Sequence, residues 1–405
     1  MKKLISNGSV WMIAVLFSLA SCKKNVDKSF SDANDATSLT DMINEQGNNP
    51  DETDITQSLS TLEERNRAKD HYLYTETNET GKNRIIIFEV KKNGDLEKKG
   101  TVASGGAGTG KGLGSQGAIA IDKNHEWLYA VNAGSNSVSI FKIHKDGELT
   151  LSCTENSKGT MPVSISVKGN LLYVLNRGSD NIHGFHIGND GKLSNIPGST
   201  QALSSTAVDA PQVSITPDGN WVIVTEKATN IVGAFKIKQD GSVKAGKFTA
   251  SAGPTPFGFD FARGYMIVSN AAGGAPGAGS ATSNMIEANG TARAVNGTVA
   301  NQQGAPCWVA TTKYGRFAYV SNTGSNTVSS YYVSYWGKLY LVDAAAGKTD
   351  MAPADIVVAA DNYHVYLLTS AAHTINGFKR KCLGGLESVY ASPVLPVSTS
   401  GLAIY

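Results

Sequence analysis

One repeat constrains this chain more than any other feature. An aromatic residue is followed six positions later by glycine, and two positions after that by Leu or Val. The aromatics are Phe88, Phe141, Phe185, Phe235, Tyr331 and Phe378, and their glycines are Gly94, Gly147, Gly191, Gly241, Gly337 and Gly384. Five residues ahead of each aromatic stands Asn83, Asn136, Asp180, Asn230, Asn326 or His373. The intervals between aromatics are 53, 44, 50, 96 and 47 residues, and 96 is two units of 48. The sequence therefore holds seven units across 70–405, one of them degenerate. That unit lies between Phe235 and Tyr331, with a Gly/Ala-rich insertion, AAGGAPGAGSATS, ahead of a hairpin signal at Asn289-Gly290.

Each unit reads as four short strands. A Pro-led run such as APQVSIT comes first, NWVIVTE or LLYVLN second and IVGAFKI third, and DGEL opens the fourth. Apolar residues alternate with period two, as half-buried strands require. Asn93-Gly94, Asp146-Gly147, Asp190-Gly191 and Asp240-Gly241 mark tight hairpins, which need positive φ. Four-stranded repeats of this length predict an all-β, seven-bladed β-propeller. The domain opens on HYLYTETN, which matches a second strand, and stops on STSGLAIY, which matches a first. The C-terminal strand is thus expected to pair into the first blade and close the ring.

Between the first two units runs SGGAGTGKGLGSQ, Ser104 to Gln116, with the glycine and lysine spacing of a phosphate-cradling loop. Such a loop needs a helix after it and a hydroxyl beside the lysine. GAIAID follows instead and reads as strand, and Gly112 stands where the hydroxyl belongs. The stretch is expected to be a flexible connection between blades.

The N-terminus reads as an export signal over 1–21. A basic start, MKK, precedes the apolar VWMIAVLFSLA, too short for a typical spanning helix. Leu19-Ala20-Ser21-Cys22 resembles a bacterial lipobox, which implies acylation of Cys22 and a lipid anchor in the cell envelope, periplasmic or at the surface. Residues 22–69 are polar and lack periodicity, so a flexible tether is expected, with a short helix near Ser60–Glu63. Cys153, Cys307 and Cys382 remain, an odd number without metal-ligand spacing. Without Lys2 and Lys3 the 36 basic residues become 34, matching 34 acidic ones, so no net field draws nucleic acid. The expectation is a monomer that reaches the membrane through its lipid only.

In a propeller, the loops leading into first strands and those between second and third strands share one face, where function commonly sits. That face collects Asn132, Asn176, Arg177, Glu226, Lys227 and Asn322, and the Pro-led runs add Gln212, Phe257, Cys307, Trp308 and Asp355. Each has a structural alternative. Asn bonds its own backbone in turns, Glu226-Lys227 reads equally as a solvated pair, and Phe257 and Trp308 as blade packing. Asp355 stands open between facing the channel and capping a turn. Arg177 departs from the repeat, since the equivalent residues are Ala133, Lys227 and Thr323, and is a candidate ligand.

The units, LYAVNAGSNSVSIFKIHKDGEL above all, resemble the lactonase family of seven-bladed propellers, which includes 6-phosphogluconolactonases and carboxymuconate cyclases. The resemblance implies a small-molecule site on the same face, handling a lactone or related acid. The family's catalytic pattern is poorly matched. Pro211 stands in place of a histidine, Pro256-Phe257 in place of Arg-His, and Asn270-Ala271 in place of Asn-Glu; Glu226 alone aligns with a family acid. Two functions follow. One is a binding module for a small molecule, glycan or protein. The other is a rearranged lactone hydrolase or cyclase, with Glu226 as base and Arg177 or Lys227 as its electrostatic partner. Neither reading calls for a cofactor or metal.

Overall fold

The computed structural model describes residues 71–405; the signal segment, Cys22, the tether and the helix expected near Ser60 lie outside them. The described residues form seven antiparallel sheets arranged as blades. Blade 1 combines His71–Glu76, Arg84–Val90 and Leu96–Ala103 with the C-terminal strand Ser400–Ile404. Blades 2 to 7 span 119–156, 162–202, 212–250, 256–300, 306–348 and 353–391. Ser400–Ile404 is the inner strand of blade 1, with Leu73 opposite Ile404 and Glu76 opposite Ser400. Ring closure is therefore as the sequence indicates. In blade 3 the outer strand is broken into Leu193–Asn195 and Gln201–Ala202.

Burial follows position in the blade rather than a uniform alternation. Outer strands alternate, as in Leu149–Asn156, where buried or half-buried residues take turns with exposed ones. Second strands lie between neighbouring blades on both faces, so Trp221–Glu226 and Phe317–Asn322 are buried at every position. Their near-continuous apolar runs have that cause, and the period-two expectation holds for the outer strands only.

The hairpin glycines hold adjacent blades together. All seven, Gly290 of the degenerate blade included, have φ between +74° and +93°. Except at Gly384, where Leu383 has φ of +60°, the turn residue ahead of each keeps negative φ, so these are not two-residue turns with two left-handed positions. Gly147 N donates to His144 O at 2.9 Å, which leaves glycine alone in the left-handed region. At each glycine an added methyl would overlap or press on the start of the preceding blade's second strand: Tyr72, Trp127, Leu171, Trp221, Tyr265, Phe317 or His364. Counted by strand pairing, Asn284 of blade 5 takes the place of the repeated aromatic, six residues before Gly290.

The polar residue five before each aromatic is also explained. Asn136, Asp180, Asn230, Asn326 and His373 adopt φ of +45° to +58°, a region Asn and Asp tolerate best after glycine. Four of these side chains then receive the next blade's lead-in, Asp180 from Ala207 N at 2.8 Å and Val208 N at 3.2 Å. Met161 N donates to Asn136 Oδ1 at 2.8 Å, Thr255 N to Asn230 at 2.6 Å and Ala352 N to Asn326 at 2.8 Å.

Candidate functional site

Second strands all end at the upper face, where the loops to third strands and the connections between blades lie. In blades 2 to 7 the last residues of these strands share one register position and form a ring: Asn132, Asn176, Glu226, Asn270, Asn322 and Thr369, each fully buried. The asparagines are fasteners. Asn132 donates to Ser137 and Ser139 at 3.2 and 2.7 Å, and Asn322 to Thr327 and Ser329 at 3.0 and 2.9 Å. Asn176 bonds Ser157 O and Asn181. Gly106, Gly159 and Gly253 sit so close on the amides of Asn132, Asn176 and Asn270 that no side chain fits. Of the three asparagines expected at the site, none reaches the surface.

Glu226 occupies the same ring. Its Oε1 accepts from Ser204 N at 2.9 Å, and its Oε2 accepts from the Ser204 hydroxyl and from Thr229 Oγ1, the latter at 2.6 Å. The carboxylate fixes the connection from blade 3 to blade 4.

Arg177 and Lys227 converge, and the sequence reading missed the residue that joins them. Asp209 lies 3.6 Å from Arg177 Nε and 2.9 Å from Lys227 Nζ, and its own side chain is 49% exposed. Lys227 also lies over the Phe257 ring at 4.8 Å, and Phe257 packs on Trp308 with ring centres 4.8 Å apart. Burial lowers the pKa of Arg177, and Asp209 opposes that shift. Cys307 lies buried in the same region and carries no disulfide. Burial pushes its thiol up to about 11, which disfavours the thiolate.

The stretch that resembles a phosphate loop makes the largest correction. Ser104-x-Gly106 is a repeat element, matched by Ser157-x-Gly159 and Ser251-x-Gly253. The residues that follow lead to a fastened strap rather than a flexible link. Arg177 donates to Leu113 O at 2.7 Å and Gly114 O at 3.0 Å, and to Ala210 O at 3.1 Å. Trp308 Nε1 donates to Ser115 O at 2.8 Å. Gln116 exchanges two bonds with Val309 of blade 6, at 2.6 and 3.1 Å, and its backbone N–H donates to Pro211 O of blade 4 at 3.0 Å. Blades 2, 4 and 6 are thereby bonded to one another through a single residue, so 113–116 lie across the centre of the upper face.

Gln212 and Asp355 face neighbouring blades. Gln212 makes a two-bond exchange with Phe259 at 2.7 and 2.8 Å. Asp355 Oδ2 accepts from Gly401 N of the closing strand at 3.0 Å. Burial raises its pKa from 3.8 to about 7. Glu76 is raised as well, by burial first and by the Asp355 charge after the opposing bond from Asn83. One oxygen of Glu76 has no partner. Among the described residues no three His, Cys, Asp or Glu side chains gather as metal ligands, and no helix is long and apolar enough to cross a membrane.

Beside the strap the upper face therefore exposes a small patch: two half-buried cations and one carboxylate, over the buried Phe257 ring. Lys227 is its donor for an anion, with Arg177 adding charge while its nitrogens hold the carbonyls of Leu113, Gly114 and Ala210.

Residues 65–210 match the family described as Lactonase, 7-bladed beta-propeller. No curated protein matches the sequence. Among solved structures, a protein of Bacteroides fragilis, provisionally assigned as a 6-phosphogluconolactonase, is 19% identical with a TM-score of 0.65, over 84% of this chain and 98% of that one. The periplasmic gluconolactonase of Pseudomonas aeruginosa is 17% identical with a TM-score of 0.64, over 83% and 98%. A functionally unknown protein of Desulfotomaculum acetoxidans is 15% identical with a TM-score of 0.64, over 83% and 99%. Such identities speak for the fold alone. This chain is a seven-bladed β-propeller whose residues 65–210 match the lactonase propeller family.

Proposed function

We propose that this propeller is an envelope-anchored binding protein for a small anionic molecule of the sugar-acid class, held at Arg177, Lys227 and Phe257. One observation carries the reading: both oxygens of Glu226 are occupied by Ser204 and Thr229. A general base must reach the water it activates, and lactone opening also needs a donor at the oxyanion. Glu226 is fully buried and bonded, whereas the nearby cations keep part of their surface exposed. The Cys22 lipobox supports the anchoring half of the reading.

The second reading is lactone hydrolysis. The family match over 65–210 favours it, as does the gluconolactonase assigned to one structural neighbour. A single experiment decides between the two. The chain is titrated with gluconate-type acids by calorimetry, and proton release is followed on the corresponding lactones. Binding without turnover, weakened in Lys227→Ala, supports the binding protein. Turnover abolished in Glu226→Gln overturns it in favour of the hydrolase. Labelled palmitate incorporated into the chain, and lost in Cys22→Ser, tests the anchor.

A further inference from the structure

The lower face carries an aromatic feature that the repeat does not explain. Where blades 2, 3 and 4 place Asp-Gly at the tip of the outer hairpin, blade 6 places Tyr335-Trp336-Gly337. Tyr335 and Trp336 are 69% and 68% exposed. They meet edge to face at 5.2 Å and 89°. The tip is fixed by Gly337 N to Ser334 O at 3.0 Å and Ser334 N to Lys338 O at 2.9 Å. The pair is thus held outward on a rigid turn. Beside it on the same face, the first turn of blade 6 carries Lys313, Tyr314 and Arg316, with Tyr314 38% exposed. Among the described residues no carboxylate pairs with Lys313, Arg316 or Lys338, whereas the hairpins of blades 2, 3 and 4 carry Asp146, Asp190 and Asp240. The lower face is therefore basic and aromatic at blade 6, whereas across blades 2 to 4 each hairpin sets a lysine, Lys145, Lys192 or Lys238, close to its aspartate.

Topology adds an independent observation. His71 begins the second strand of blade 1 and lies opposite Val90, just before the Lys91–Asp95 hairpin. Residues 1–70 therefore join the propeller at the lower face.

We propose that the blade 6 tip is a membrane-docking element. Tyr335 and Trp336 enter the interface of an anionic bilayer, while Lys313, Arg316 and Lys338 meet its headgroups. Aromatic rings with a polar edge suit that depth, and lysines near a charged leaflet add attraction that salt screens. The upper face, with the patch around Arg177, then points away from the membrane. The docking surface goes beyond the binding function and takes from it only the anchor at Cys22.

The test uses the full chain, with Cys22 intact and as Cys22→Ser, on vesicles of phosphatidylglycerol and phosphatidylcholine. Trp336 is isolated as the difference in emission between the wild type and Trp336→Phe, and brominated lipid serves as quencher. The expected result is a blue shift and quenching of Trp336 on anionic vesicles, weakened by salt. Replacing Lys313 and Lys338 by Glu is expected to lower vesicle affinity of the Cys22→Ser chain roughly thirtyfold. Replacing Tyr335 and Trp336 by Ser, exposed positions outside the core, is expected to lower it about tenfold. Sedimentation of the Cys22 chain with vesicles while Trp336 stays unquenched overturns the docking element and leaves the anchor standing. Quenching in both Cys22 forms to the same extent supports the docking element and removes the anchor. Equal quenching on pure phosphatidylcholine overturns the charge complementarity and with it the proposal.

Discussion

The hydroxyl of Tyr74 in blade 1 donates to the carbonyl of Gly147 in the hairpin of blade 2, at 2.8 Å. The same latch joins Tyr129 to Gly191 at 3.0 Å, Tyr173 to Gly241, and Tyr366 to Gly94 at 2.8 Å. The last of these closes the ring between blades 7 and 1. Gly147 also has φ of +75° and presses on the Tyr72 ring. Gly147→Ala therefore meets both a strained backbone and an overlap. It is expected to lower unfolding free energy by about 3 kcal/mol, read from denaturant titration.

Three joints lack the latch: blades 4 and 5 carry Ile223 and Ile267 in place of the tyrosine, and the joint after blade 6 gives a contrast. Tyr319 of blade 6 is buried, but its hydroxyl has no partner. The hairpin it would meet in blade 7 is recast as a 3-10 turn at Cys382–Gly384. Tyr366→Phe leaves the carbonyl of Gly94 without its donor and is expected to cost about 1 kcal/mol. Tyr319→Phe removes an unsatisfied buried hydroxyl and is expected to leave stability unchanged or higher. Paired thermal melts of the two variants read the difference directly. Equal losses would show that the latch bond contributes nothing.

These joints show what the sequence makes legible. Gly94 to Gly384 stand out because a hairpin tip needs positive φ and the preceding blade leaves no space for a side chain. Both demands act on one residue at fixed spacing. Blade 5 is harder to read because Asn284 replaces the aromatic, although Gly290 keeps the spacing. The upper face is less legible still. Asn132, Asn176 and Asn322 have the chemistry of ligands, yet the structure uses that chemistry to bond loops. The strap at 113–116 is held mainly through its backbone carbonyls, which every sequence offers alike. Asp209 has no repeat signal at all, because its role depends on two cations brought from neighbouring blades.

Asp355 gives the closing strand a pH dependence. Its pKa rises from 3.8 to about 7 on folding, through burial. The folded state thus binds more protons across that window, so the contribution of this group is fully present below pH 4 and is lost as pH rises through 7. Glu76 acts in the same direction. His183, lowered to about 4 by burial, works the other way: its contribution is present above pH 6.5 and lost as pH falls toward 4. The clean readout is the difference between wild type and Asp355→Asn. That difference is expected to change between pH 4 and 7 by roughly 3 kcal/mol at most, with the variant gaining relative stability at the alkaline end. A difference that stays flat with pH would mean that Asp355 ionises without cost.

Closure by the C-terminal strand is tested by removing Gly401–Tyr405. These residues supply the inner strand of blade 1, the Gly401 N–H that Asp355 accepts, and the Tyr405 carbonyl at His71 Nδ1, 2.8 Å away. Without them the Glu76 and Asp355 carboxyls lose their covering and blade 1 has a bare inner edge. The melting temperature is expected to fall by 10 °C or more, about the effect of a loss of several kcal/mol. An unchanged melting temperature would sink the closure.

Arg177 is expected to hold the strap in place rather than merely lie beside it. Its three donors end on Leu113 O, Gly114 O and Ala210 O, carbonyls that belong to the connections into blades 2 and 4. Arg177→Ala leaves those acceptors without their charged donor. Gln116 still bonds Val309 and Pro211, and Leu113 N still donates to Ser400 Oγ at 3.0 Å, so the ring itself has no reason to open. The effect is therefore local. Amide exchange of 110–116 is expected to quicken by about tenfold or more, while peptides from the second strands, such as 127–132 and 221–226, keep their protection. Lysine at 177 would restore charge but not the three-pronged geometry, and is expected to recover little of the protection. Full protection of the strap in Arg177→Ala would show that Gln116 and Trp308 alone suffice to fix it.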